Sequence, residues 1–198
     1  MTTARPYDLI LPERRNTALV VASPHSGRQY DAAFLAATPL DACAIRSSED
    51  AFVDMLFGDA PLFGAPFLSA SAPRAWLDLN RAHDELDPAL IEDVPRGTLN
   101  PRIASGLGVI PRVVANGRQI YRSRLRRAEA EARIASHWRP YHSTLQGLLD
   151  QSRGTFGRAI LLDCHSMPHE AIASHARPDR PLPEVVLGDR YGAAAAPA

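Results

Sequence analysis

Ala18-Leu19-Val20-Val21-Ala22 runs directly into Ser23-Pro24-His25-Ser26-Gly27. A short apolar, valine-containing run closed by Pro and Gly reads as a buried strand ending in a turn. Ala159-Ile160-Leu161-Leu162, followed by Asp163-Cys164-His165-Ser166, repeats the arrangement. Each run ends in a histidine among small polar residues. Open α/β sheets place their ligand sites at the carboxyl ends of strands. Two imidazoles delivered there can share one metal through neutral ring nitrogens. The pattern points to a metallohydrolase on an α/β sheet.

Working outward, residues 1–17 read as a polar lead-in and 18–23 as the first strand. A short helix is expected over 31–37. Ser47-Ser48-Glu49-Asp50 has the form of a helix start, with a serine cap and acids in the first turn. Phe52, Val53, Leu56 and Phe57 follow at helical spacing. Pro66-Phe67-Leu68-Ser69 enters a strand, and Trp76-Leu77-Asp78-Leu79-Asn80 alternates as a strand does. Residues 82–117 form a long loop, of a length that is usually functional or mobile. The longest helical segment is expected over 121–150. Its apolar face is read from Leu125, Ala128, Ala132, Ala135, Trp138, Leu145, Leu148 and Leu149, with Pro140 kinking or splitting it. Residues 158–164 form a strand, 168–183 a loop, and 184–187 open a further strand. Strands alternating with helices predict an α/β sheet with helical cover.

The chain is long enough, at 198 residues, for one domain with a real core. Its basic charge is all arginine and its formal net charge is zero, so no general field favours nucleic acid or an anionic membrane. Two cysteines do not make a disulfide framework. Cys164 is read as a small buried residue rather than a nucleophile. No secretory signal pattern opens the chain, and no apolar run approaches the roughly 20 residues of a membrane span. A soluble cytoplasmic protein is expected. Walker, GxGxxG and GxSxG motifs are missing from the sequence.

His25 and His165 are the leading metal ligands. Asp163, two residues before His165, shares its face if the strand continues, and would orient it from the second shell. A catalytic zinc takes three protein ligands and leaves a position for water. Glu49 and Asp50 are both available as the third, and both are also explained as acids complementing a helix dipole. Asn80-Arg81 offers a fork of donors to a carboxylate, or else a surface Arg–Asp pair. Arg74 is a weaker candidate of the same kind. His83, Asp84, Glu85 and Asp87 read as loop solvation. His137, His142, His169 and His175 lack paired contexts, and Tyr141-His142 reads as packing within the long helix.

In order along the chain, six segments resemble the N-formylglutamate amidohydrolase family. They are Pro24-His25-Ser26-Gly27, Glu49-Asp50-Ala51-Phe52-Val53-Asp54, Asp78-Leu79-Asn80-Arg81, Pro140-Tyr141-His142, Asp163-Cys164-His165-Ser166-Met167 and Val186-Leu187-Gly188-Asp189-Arg190-Tyr191-Gly192. The resemblance implies a zinc-peptidase (phosphorylase/hydrolase-like) fold, three-layer α/β/α around a mixed central sheet. It implies one Zn2+ per chain, and it favours Asp50 over Glu49 beside His25 and His165. Ser26, Asp163 and Ser166 would support those ligands. Asn80 and Arg81, with Arg74, would bind the substrate carboxylate. The implied reaction is hydrolysis of the amide bond of an N-acyl amino acid. N-formyl-L-glutamate would yield formate and glutamate, a step of histidine breakdown.

Two departures stand out. The family's later Gly-rich loop and the strand carrying its general-base glutamate have no counterpart here. The expectation is a single α/β domain over 1–198 that lacks its C-terminal part, with the base beyond Ala198. Residues 98–114 also differ from the substrate loop of the dedicated histidine-pathway enzymes. The other readings open at this point are a peptidase or cell-wall amidase on the same scaffold, and a non-catalytic metal-binding member.

Overall fold

A computed structural model describes residues 5–95, 97, 100–175, 182–189 and 192–194. The chain divides into two units, Met1–Ser166 and Met167–Ala198. In the first, four strands form one sheet in the order β1-β3-β2-β4. They are β1 (Tyr7–Ile10), β2 (Leu19–Ser23), β3 (Phe67–Ala70) and β4 (Ile160–Asp163). β1 pairs antiparallel with β3, while β3 and β4 both run parallel to β2. The sheet is therefore mixed and the fold α/β.

Parallel pairing fixes the geometry on which the site depends. Ala22 of β2 stands opposite Asp163 of β4, and Ser23 opposite Ser69 of β3. The carboxyl ends of three strands therefore lie side by side. The Cys164 N–H donates to Ala22 O at 2.7 Å, extending the ladder one residue past β4.

The helices are α1 (Ala32–Ala37), α2 (Ala42–Ile45), α3 (Val53–Leu56), α4 (Pro101–Ala104), α5 (Arg127–Arg133) and α6 (Arg139–Phe156). Asp31 caps α1 by accepting from the Ala33 and Phe34 N–H groups. α5 and α6 are joined by a π turn over Ile134–Trp138 and keep helical backbone throughout. Pro140 has no N–H to give, and a π turn is a common way to absorb such a mismatch. The helix ends at Gly157, whose φ of 72° suits glycine.

The main core gathers Val20 and Leu68 of the sheet with Leu77, Leu79, Ile91, Val109, Ile110, Ile120, Ile134, Tyr141 and Leu148. A smaller cluster, Val21, Val53, Ala65, Phe67 and Cys164, forms separately. In the second unit a 3-10 helix spans His169–His175.

Several expectations are corrected. The lead-in contains β1, the first strand of the sheet. Trp76-Leu77-Asp78-Leu79-Asn80 is no strand: Leu77, Asp78 and Leu79 are all buried, so the alternation does not separate inside from outside. The long helix begins at Arg127, not 121, and buries Ala130, Ile134, Tyr141 and Leu148, while Ala128, Ala132 and Ala135 face out. The 82–117 loop is no loose excursion, since Leu90, Ile91, Val109, Ile110 and Val114 anchor it in the core. Asp87, expected to be solvated, is buried and accepts from Arg112 Nε at 2.8 Å. Residues 184–187 form no strand, and Val185 and Leu187 are exposed. Arg190 and Tyr191 of the last resemblance motif lie outside the described residues, as do Thr98 and Leu99.

Candidate metal centre

β2 and β4 deliver their histidines to one point. His25 follows β2 in a tight turn and is 2% exposed. His165 stands two residues past β4, its side chain 32% exposed. The two rings lie 4.8 Å apart between centroids. Gly27 makes the His25 turn possible: a Cβ there would sit 2.1 Å from the Ala72 carbonyl oxygen.

Asp50 closes the group. Residues 47–50 do not start a helix. α3 begins only at Val53, and Ser47 Oγ donates back to Ala44 O at 2.7 Å instead of capping forward. The Asp50 N–H donates to His25 O at 3.1 Å, which ties the acid to the histidine turn. Asp50 Oδ2 lies 2.8 Å from His165 Nδ1 and 3.4 Å from His25 Nδ1. One ligand atom from each of His25, Asp50 and His165 falls within 4.8 Å of the others. Glu49 points elsewhere, accepting from Tyr30 Oη at 2.6 Å and from Arg46.

Each imidazole has its far nitrogen held by a second acid. His25 Nε2 donates to Asp78 Oδ1 at 2.7 Å. Asp78 is buried, and also accepts from the Asn80 N–H at 2.9 Å and from Arg74 Nε at 3.1 Å. With Nε2 protonated, Nδ1 presents its lone pair, and this buried atom has no hydrogen-bond partner among the described residues. His165 Nε2 lies 3.0 Å from Asp163 Oδ2, and the Asn80 amide nitrogen 3.1 Å away. Ser166 Oγ donates to Asp50 Oδ1 at 3.2 Å. Ser26 hydrogen-bonds to none of these groups among the described residues; it accepts from Ser23 Oγ at 2.9 Å and braces the turn.

The charges reinforce one another. Burial disfavours the Asp50 carboxylate, but the hydrogen bond from His165 and the close approach of His25 outweigh it and hold the group below the usual range. Burial acts on Asp78 in the same way, and His25, Arg74 and Arg81 bring it down to about 2. Burial opposes the His165 imidazolium, yet Asp163 and Asp50 push its pKa up to about 9. Burial and Asp163 raise the Cys164 thiol to about 12, so it stays protonated and unreactive. Two ring nitrogens, that of His25 buried and without a hydrogen-bond partner among the described residues, and one carboxylate oxygen make a donor set that could hold a metal ion. Aspartates behind metal-binding histidines fix the tautomer and raise ligand basicity.

Asn80 and Arg81 arrive beside this group, but Arg81 is already engaged. Its Nε donates to Leu107 O at 3.0 Å and Nη1 to Asn80 O at 2.7 Å. Arg74 uses only Nε, on Asp78. Asp78 was missed as a site residue by sequence reasoning, which offered Arg–Asp pairing only at the surface. Its one signal was its place in Asp-Leu-Asn-Arg.

Comparison with known proteins gives a family. The family model for N-formylglutamate amidohydrolase matches residues 17–198. The N-formylglutamate deformylase of Pseudomonas aeruginosa is 30% identical over 191 residues, covering 94% of this chain and 64% of that protein. The Pseudomonas putida deformylase is 29% identical over 184 residues, covering 90% of this chain and 61% of that one. The chain thus spans under two thirds of the length of either. A crystal structure of N-formylglutamate amidohydrolase from Ralstonia eutropha JMP134 superposes with a TM-score of 0.83 at 36% identity, covering 94% of this chain and 67% of that one. The chain belongs to the N-formylglutamate amidohydrolase family.

Proposed function

We propose that His25 Nδ1, Asp50 and His165 Nδ1 hold one zinc ion, and that the protein hydrolyses the amide bond of an N-acyl amino acid. N-formyl-L-glutamate is the substrate best supported, because the relatives in two Pseudomonas species carry deformylase names for it. The observation that carries the reading is the convergence of two Nδ1 atoms on one Asp50 oxygen, each ring backed by a separate acid. When bound, the ion supplies Lewis-acid activation of water and of the acyl oxygen. The residues then have separate tasks. Asp78 and Asp163 hold Nε2 of each ring and so aim Nδ1 inward, where a bound ion would take the place of the His165 Nδ1 proton. Ser166 restrains Asp50. Arg74 keeps its terminal nitrogens free of hydrogen bonds among the described residues, and Arg81 its Nη2, so these groups and Asn80 are assigned to the substrate carboxylate. Holding that end fixes the acyl carbon against the centre. The base that accepts the proton from water is assigned to a glutamate in the region that the relatives carry beyond their match to this chain. The mixed sheet is read as the centre of a three-layer, zinc-peptidase-type fold.

The test is metal content by mass spectrometry together with formate release from N-formyl-L-glutamate, on this chain and on any longer reading frame. One zinc per chain with formate release in either supports the reading. Zinc without turnover in both favours a metal-binding role. No zinc in either overturns the centre.

A further inference from the structure

The segment from Asp78 to Arg81 supplies Asp78 to His25 and Asn80 to His165, yet it belongs to no strand. Something else must hold its backbone. Trp138 Nε1 donates to Arg81 O at 2.8 Å, and His142 Nε2 donates to Leu79 O at 2.9 Å. These two carbonyls bracket Asn80. The donors are four residues apart, so they stand one above the other on a single helix face. Their rings pack with centroids 3.9 Å apart, tilted by 33°, and His83 closes edge-on over Trp138 at 5.1 Å. Trp138 is the last residue of the π turn over Ile134–Trp138, and one inserted residue turns the helix that follows by about 100° around the axis.

We propose that Trp138 and His142 form a positioning clasp: two ring N–H groups from one helix pin the peptide units around Asn80, and so aim Asp78 at His25 and Asn80 at His165. Neither residue reaches the proposed ligand atoms. They act through the backbone they hold, and the metal arm of the inference rests on the zinc reading above. Among the described residues, two other ties hold the segment to its surroundings on the loop side, the Asp78 N–H on Val109 O at 2.8 Å and Arg81 Nε on Leu107 O at 3.0 Å. Losing a clasp donor therefore loosens the peptide on one side of Asn80, whose N–H still donates to Asp78.

The test compares Trp138→Phe and His142→Phe, which keep an aromatic ring and lose the N–H, with His142→Gln, whose amide reaches as far as Nε2. Zinc affinity is measured by chelator competition. The His25 Nε2–H proton resonance is followed in the metal-free protein. Both Phe variants should lose about tenfold in zinc affinity, the scale of an outer hydrogen-bond partner, and both should shift or broaden the His25 resonance. His142→Gln should restore both. Wild-type affinity with an unmoved resonance in both Phe variants overturns the clasp. Equal damage in His142→Phe and His142→Gln overturns it too, since packing and not the donor would then matter. Should wild-type protein bind no zinc, the metal reading falls, while the His25 resonance in the metal-free protein still decides the clasp.

Discussion

His25 and His165 leave neighbouring parallel strands, but they stand on different ground. β2 is an interior strand whose residues Val20, Val21 and Ala22 are buried. β4 is at the edge of the sheet among the described residues, with Ile160 and Leu161 exposed. Asp78 behind His25 is itself buried and anchored by Arg74 and the Asn80 N–H, whereas Asp163 behind His165 is 35% exposed. One side of the centre is thus preorganised and the other is adjustable. Fixed groups lose little freedom on binding a ligand, while mobile ones must be ordered first.

The largest effects should break the rigid side. Gly27→Ala forces a Cβ onto the Ala72 carbonyl and should cost about 1–3 kcal/mol, read as a lower urea midpoint. His25→Ala should abolish stoichiometric zinc and also destabilise the metal-free protein, because Asp78 loses a buried partner. His165→Ala should lose zinc with little change in the urea midpoint. Equal destabilisation by the two alanine variants would erase the contrast.

The acids behind the rings sharpen the comparison further. Outer carboxylates are commonly worth about 10- to 100-fold in metal affinity. Asp78→Asn should fall near the upper end and Asp163→Asn near the lower, by calorimetric titration with zinc. The reverse order would mean that the exposed side sets affinity. Of smaller size, Arg74→Ala should raise KM more for substrates with a free carboxylate than for their amidated analogues, the loss common to both coming through Asp78, which Arg74 anchors; equal losses on both would remove Arg74 from substrate binding.

The smallest effect is on pH. With its pKa raised to about 9, His165 is protonated in the metal-free protein at neutral pH. Metal uptake at pH 7 to 8 should therefore expel a proton, and apparent affinity should weaken as pH falls below about 9. The protonation also stabilises the metal-free fold. That contribution is complete below the ordinary histidine pKa and disappears as pH rises through about 9. Titrations in buffers of different ionisation heat count the proton. A count of zero would mean that His165 is already neutral.

Interior β2 was legible because burial on both faces writes itself as an unbroken apolar run, Val20-Val21-Ala22, and β4 was legible from the like run Ile160-Leu161-Leu162 although Ile160 and Leu161 are exposed. β1 was not, because Tyr7-Asp8-Leu9-Ile10 packs only lightly and looks like a polar lead-in. Trp76–Asn80 misled for a functional reason: Asp78 is polar yet buried, since it holds His25. Ser47-Ser48-Glu49-Asp50 imitated a helix cap because its acids serve Tyr30, Arg46 and the histidines. The two histidines could be paired from their matching contexts. The choice between Glu49 and Asp50 needed the direction of two side chains, which spacing does not carry. The approach of Asp78 to His25 spans 53 positions and leaves no local trace.

β4 does two jobs at once. It carries His165 at its end, and its outer side is unpaired among the described residues, an open row of backbone donors and acceptors flanked by Ile160 and Leu161. Such a row invites a second strand to add itself. Colloidal behaviour and metal geometry therefore share one footing. A charge placed at Ile160 to keep the protein dispersed, or a copy that docks along β4, would be felt two residues past the strand's end, at the imidazole.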